Sequence, residues 1–135
     1  MKNIILLAFI AGFAPLMLVG QHTLSIEIDG LKNNKGKVLL ELSSEKGEKI
    51  AGFMQPIDNA KCLFEIKDLK PGKYSFKYFH DENSNEELDT NMIGMPKEGF
   101  GFANNAKGKF GPPQFEKTIF TVQGDSSLKC TIQYL

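Results

Sequence analysis

The chain is predicted to be all-β: an antiparallel sandwich, immunoglobulin-like or transthyretin-like, of six to seven strands with one long ordered loop. Three observations predict it. Short runs alternate apolar and polar residues with period two, turn-forming residues separate the runs, and residues 21–135 carry no convincing helical period. Each strand then has one inward face, and the core is the sum of those faces.

Leu24, Ile26 and Ile28 alternate with Ser25 and Glu27 and form the first half-buried strand. Val38, Leu40 and Leu42 alternate with Lys37 and Glu41, Leu39 being the exception, and form the second. The connection from Gly30 to Lys37 contains Asn33, Asn34 and Gly36, turn chemistry suited to a hairpin. The pattern weakens between Ser43 and Asn59, where a short strand at Ile50 to Met54 is expected. Lys61 to Ile66 puts Cys62, Phe64 and Ile66 on one face, and Lys73 to Phe79 does the same for Tyr74, Phe76 and Tyr78. The last two strands are placed at Phe115 to Val122 and Leu128 to Tyr134, with Gly124, Asp125 and Ser126 turning between them. Before the Lys73 strand, Asp68-Leu69-Lys70-Pro71-Gly72-Lys73-Tyr74 presets a turn through Pro and Gly and delivers a Tyr whose ring enters the core while its hydroxyl finds a backbone partner. This resembles the turn-into-strand signature of small secreted sandwiches of the transthyretin-like and collagen-adhesin B-type kinds.

Residues 1–20 read as a secretory signal: Lys2 supplies the positive start, Ile4 to Gly20 is uncharged and apolar, and Gly20 precedes a cleavage point at Gln21. The stretch is shorter than the roughly twenty residues of a spanning helix and contains Pro15; the alternative is an uncleaved N-terminal anchor. The expected location is periplasmic or extracellular, with no membrane insertion after cleavage. Residues 21–135 are the size of one domain with a single core. The 16 basic residues balance the 16 acidic ones, and every basic residue is Lys. Nucleic acid and anionic membrane, which select an excess of cations, are therefore not expected partners, and the absence of Arg weakens any phosphate-binding role. A monomer is expected.

From residue 80 to residue 114 the strand pattern disappears for longer than the usual connection in a compact domain. The segment carries Leu88, Met92, Ile93, Met95, Phe100, Phe102 and Phe110, too apolar to be left in water as a disordered linker, so a folded loop whose aromatic residues cover one end of the sandwich is expected. At its start, Asp81, Asn83, Asn85, Glu87 and Asp89 fall at every second position. Oxygen ligands in that spacing can converge on calcium, with Glu87 offering its carbonyl, Leu88 turning inward, and Glu98 or Glu82 completing the shell. The pattern departs from a helix-loop-helix hand, having Glu86 in place of the glycine at position six and Met92 in place of the carboxylate at twelve. The competing reading is a turn in which Asp and Asn side chains bond their own backbone. If metal binds, the expected dissociation constant is on the order of 0.1 to 1 mM.

Cys62 and Cys130 both fall on inward faces and are candidates for a disulfide, which would close a long loop with a chain-entropy contribution of about 4 kcal/mol; two buried free thiols are the alternative. His80, beside Asp81, could act in acid–base chemistry, but no serine or cysteine occupies an evident nucleophile position. A strand-end histidine bonded to loop backbone explains it more simply.

The runs H-D-E-N-S-N-E-E-L-D-T-N, I-G-M-P-K-E-G-F-G-F-A-N-N-A and K-F-G-P-P-Q-F-E resemble the bacterial domain-of-unknown-function family numbered 2141, over nearly all of residues 21–135. The chain departs from that resemblance in carrying Ser84 and Glu86 where small residues or glycine are expected. The resemblance implies an exported β-sandwich with no assigned biochemical role. Three readings follow. The first is a noncatalytic exported module presenting a loop surface to an unknown protein or glycan partner, with calcium the one possible cofactor. The second is a small-ligand or glycan-binding protein using His80, Phe100, Phe102, Asn104, Asn105 and Lys107. The third is a small hydrolase centred on His80.

Overall fold

A computed structural model describes residues 20–135; the predicted signal segment falls outside the described residues except for Gly20. Among the described residues eight strands follow one another: β1 (His22–Asp29), β2 (Lys37–Ser44), β3 (Lys49–Pro56), β4 (Cys62–Leu69), β5 (Gly72–Asp81), β6 (Phe100–Phe102), β7 (Phe120–Val122) and β8 (Ser126–Thr131). They form two sheets. One has the order β4-β1-β8; the other has the order β3-β2-β5-β6, with β7 pairing the same edge of β5 further along.

The alternation read from the sequence is the alternation that builds the core. Leu24, Ile26 and Ile28 of β1, with Phe64 and Ile66 of β4, face Val38, Leu40 and Leu42 of β2 and Phe76 and Tyr78 of β5, all of them buried. Period-two burial on both sheets is what lets two pleated layers interlock. The weakly patterned stretch expected at Ile50 to Met54 is the eight-residue edge strand β3, paired to β2 from Lys37↔Pro56 to Ser43↔Lys49. Its pattern is weak because it is exposed along most of its length.

Two expectations about the end of the chain change. Phe115–Thr118 is a 3-10 turn, and only Phe120–Val122 is strand. The last two strands are not a hairpin either: β7 lies in the larger sheet, residues 123–125 cross between layers, and β8 runs parallel to β1, from Leu24↔Ser126 to Asp29↔Thr131. A parallel pair cannot be closed by a tight turn, so the crossing between sheets accounts for it. Every other strand pairing is antiparallel.

The same register corrects the proposed Cys62–Cys130 bridge. Ile28 pairs Cys62 on one side and Cys130 on the other, so β1 stands between the two thiols. Two strand spacings are about 9–10 Å, beyond the roughly 4.4–6.8 Å that a disulfide spans between Cα atoms. Both cysteines are free and buried. Burial pushes the Cys62 thiol up to about 12 and raises that of Cys130 as well.

The turn before β5 behaves as its residues require. Tyr74 packs against the core and its hydroxyl donates to the Lys70 carbonyl at 2.6 Å. The strand then runs straight to Asp81, two residues further than its alternation showed, and so places His80 and Asp81 at the mouth of the long loop.

Candidate functional site

The long connection divides into a folded loop, residues 82–98, then β6, then a second crossing that ends at Phe115. Asp81 closes β5 with its side chain fully buried, 0 % exposed, and its carboxylate accepts the backbone N–H of Asn85 at 3.2 Å and of Glu86 at 2.8 Å. Those two bonds hold a tight turn in which Ser84 and Glu86 adopt left-handed backbone, φ 57° and 63°. Glu86 thus makes the sharp bend that calcium loops usually entrust to glycine, at a cost in backbone strain that the Asp81 carboxylate offsets.

Glu98, 4 % exposed, fastens both ends of the loop. One oxygen accepts the N–H of Glu82 at 2.8 Å and the other that of Asp89 at 3.0 Å. Between these anchors the amides of Asn83 and Asn85 both donate to Asp89, at 2.6 and 2.7 Å, while their own oxygens accept the N–H groups of Asn85 and Glu87 at 3.3 and 3.0 Å. Asp81, Asn83, Asn85 and Asp89 are therefore brought together by short bonds, and Glu98 joins them through the Asp89 backbone. Glu87 is exposed and enters through its N–H. Leu88 stays on the surface instead of turning inward as expected.

The contacts in this structure are those of the self-bonded turn. Among the described residues no three His, Cys, Asp or Glu side chains gather to hold a metal ion by themselves. A cation here would draw on Asp81 and Asp89 together with amide and backbone oxygens, a hard all-oxygen donor set of the kind calcium accepts. Among the described residues no Lys or His forms an ion pair with Asp81, Asp89 or Glu98. The nearby cations serve other carboxylates: Lys37 reaches Glu86 at 3.3 Å and Lys32 reaches Glu82 at 3.5 Å. Glu82 also accepts from the Asn33 amide at 2.9 Å, which with Lys32 holds its carboxyl below the usual range.

His80 is buried with both ring nitrogens engaged. The Lys35 carbonyl, 2.6 Å from Nε2, can only accept, so Nε2 donates there, and Nδ1 is hydrogen-bonded to the Tyr134 hydroxyl at 2.8 Å. That hydroxyl accepts in turn from the Lys32 N–H at 3.1 Å. The side chain ties the first connection, β5 and the C-terminal residues together, which leaves it neither open nor free for acid–base chemistry. Neither Tyr134 nor the Lys35 carbonyl could be foreseen as its partner, since both are distant in sequence.

The remaining predicted surface residues separate. Asn104 and Asn105 are structural: the Asn104 amide donates to the Lys117 and Ile119 carbonyls at 3.1 and 2.9 Å, and Asn105 accepts the Thr131 N–H at 2.9 Å. Phe100 and Phe102 are half-buried on β6, their rings edge to face at 6.3 Å. Phe110 does not cover the sandwich as anticipated, and Met92 and Ile93 do not leave water. Met92, Ile93 and Phe110 are exposed, the first two on a tight turn where the Asn91 side chain accepts the N–H groups of Ile93 and Met95, each at 3.0 Å.

A family model described as "Uncharacterized protein conserved in bacteria (DUF2141)" matches residues 26–129. No curated protein and no solved structure matches the chain. The matched span runs from β1 through the pinned loop to β8 and covers more than half of the chain, and on that ground the protein belongs to the DUF2141 family of uncharacterized bacterial proteins.

Proposed function

We propose that the protein is an exported, noncatalytic binding module whose loop 82–98 is ordered around calcium and presents its apolar tip, Met92 to Met95, to a partner molecule. The observation that carries this reading is the pair of buried carboxylates, Asp81 and Glu98, with no cationic side chain paired to either among the described residues. Buried charges are ordinarily paired or bound to metal. Hydrogen bonds from four backbone N–H groups go part of the way, and an accepting carboxylate oxygen keeps a second lone pair for a cation. The left-handed turn at Glu86 and the convergence of Asn83, Asn85 and Asp89 supply the shape. Export is supported by the apolar, uncharged stretch from Ile4 to Gly20 behind Lys2. A noncatalytic role is supported by the engagement of both His80 nitrogens.

The test is a thermal melt of the full chain in chelator and then in 10 mM calcium. With a dissociation constant of about 0.1 to 1 mM, the ion should add about 1.4–2.7 kcal/mol, a rise in Tm of roughly 5–15 °C for a domain of this size. Asp81→Asn and Asp89→Asn should each remove the rise. Identical melts with and without calcium would leave the hydrogen bonds as the loop's sole support and end the calcium reading.

A further inference from the structure

The outward face of the larger sheet bears a second candidate site, unconnected with the acidic loop. Register alone places its residues in rows across four strands. Met54, Leu39, Phe79 and Phe100 form one row, and Gly52, Glu41, Lys77 and Phe102 the next. A third continues through Ser43 and Ser75. Leu39, Phe79, Phe100 and Phe102 are half-buried, although they point away from the core that Val38, Leu40, Phe76 and Tyr78 fill from the other side.

At the end of these rows the segment carrying Pro112, Pro113 and Phe115 crosses over the sheet. It is held down by the buried hydroxyl pair Ser75 and Thr118, 2.7 Å apart, and the Thr118 hydroxyl also bonds the Phe115 carbonyl at 2.6 Å within the strap's own 3-10 turn. Between strap and sheet lies a cleft of about 280 Å³, walled by Phe102, Phe115, Pro112 and Pro113 and edged by Glu41 and Lys77. The volume is near the lower end of the roughly 300–1,000 Å³ usual for small-ligand sites.

We infer that this cleft binds a neutral saccharide, one or two rings of a longer glycan. Its lining decides between ligand classes. A purely apolar guest would cover the Glu41–Lys77 ion pair and strip the water from its remaining lone pairs and N–H groups, a desolvation cost that the 3.6 Å pairing returns only in part. An ionic guest would meet opposed charges, because Glu41 stands 3.6 Å from Lys77 and 4.0 Å from Lys49. A sugar ring offers what both walls accept: a C–H face for the rings of Phe102 and Phe115, and hydroxyls around its edge for the Glu41 carboxylate and the Lys77 ammonium. The strap fixes the separation of the two aromatic walls before any ligand arrives, which lowers the ordering cost of binding.

The experiment is amide NMR titration of the full chain with three neutral tetrasaccharides, a β-1,4-glucan, an α-1,4-glucan and a chitin fragment, beside an anionic galacturonate tetramer. Saturable shifts at Ser43, Ser75, Phe102 and Phe115 are expected with at least one neutral probe at millimolar concentration. Affinity should fall at least fivefold in Phe115→Ala and in Glu41→Gln, the latter a surface change that leaves the fold in place. Shifts should persist in chelator, since no cleft residue belongs to the acidic loop; failure of calcium binding and failure of sugar binding are thereby separable. No saturable shift with any neutral probe, equal binding of the anionic tetramer, or full affinity in both variants would overturn the inference.

Discussion

At the scale of single residues, the carboxylates at the mouth of the loop separate by what they accept. Asp81 takes two backbone N–H groups on the turn it starts, and Glu98, at the end of the loop, takes one from Glu82 at its start and one from Asp89 at its middle. Removing Asp81 strands the Glu86 N–H, leaves the Asn85 N–H with only the longer bond to Asn83, and frees the strained Ser84 and Glu86 backbone. Asp81→Ala should therefore destabilise the protein by about 2–3 kcal/mol in chelator, measured by urea unfolding. A loss below about 0.5 kcal/mol would mean the turn holds itself. The alternate spacing of Asp81, Asn83, Asn85 and Asp89 was legible in the sequence because short-range periodicity determines which side chains share one side of a turn. The division of their oxygens between backbone and cation was not, because hydrogen-bond partners such as Glu98 come from nine or more residues away.

Among the elements, loop 82–98 and the turn before β5 show how differently apolar residues can be used. Tyr74 buries part of its ring and donates its hydroxyl to Lys70, so Tyr74→Phe should lose about 1 kcal/mol with no change in fold. The tip of the loop is the opposite case: Met92 and Ile93 bury almost nothing, and the turn beneath them is made by Asn91. The double change Met92→Ser, Ile93→Ser should leave the melting temperature unaltered, whereas Asn91→Ala should loosen the tip in hydrogen exchange. A marked drop in Tm for the serine pair would show that the tip packs against the sandwich after all. Sequence reasoning held these residues too apolar to be left in water, because hydrophobicity reports a tendency to leave water and not the surface that receives it. The short strand β6 was missed for a related reason. Three residues, Phe100-Gly101-Phe102, are too few to establish a period, and the small Gly101 is required because the Tyr78 ring occupies the space where a Cβ would project.

For the molecule as a whole, the buried thiols set a limit on the alkaline side. In the unfolded chain a thiol ionises near about 8.5, while the folded Cys62 keeps its proton up to about 12 and Cys130 is raised in the same direction. Above the unfolded value the native state binds more protons than the unfolded one, so stability is fully present below pH 8.5. It then declines as pH rises, by up to about 1.4 kcal/mol per pH unit from Cys62, with Cys130 acting in the same direction. Denaturant titrations at pH 7, 9 and 10 should show that fall, and Cys62→Ala should make it shallower. Thiol labelling without reductant should find two reactive groups per chain in denaturant and almost none in the native state. A single disulfide, giving no labelling in either, would contradict the β4-β1-β8 order.

The all-β class, the inward faces of β1, β2, β4 and β5, the turn ahead of β5 and the ligand-like spacing after it were all determined by the sequence alone, since each follows from chemistry between residues a few positions apart. Tertiary structure decided which strands became neighbours. Placing β1 between Cys62 and Cys130 ruled out the bridge, and carrying residues 123–125 across the layers set β8 parallel to β1. Laying the Pro112–Phe115 strap over the outward sheet face opened a cleft. Those outcomes depend on packing two sheets against one another, and no local pattern encodes which edge of a sheet a distant segment will reach.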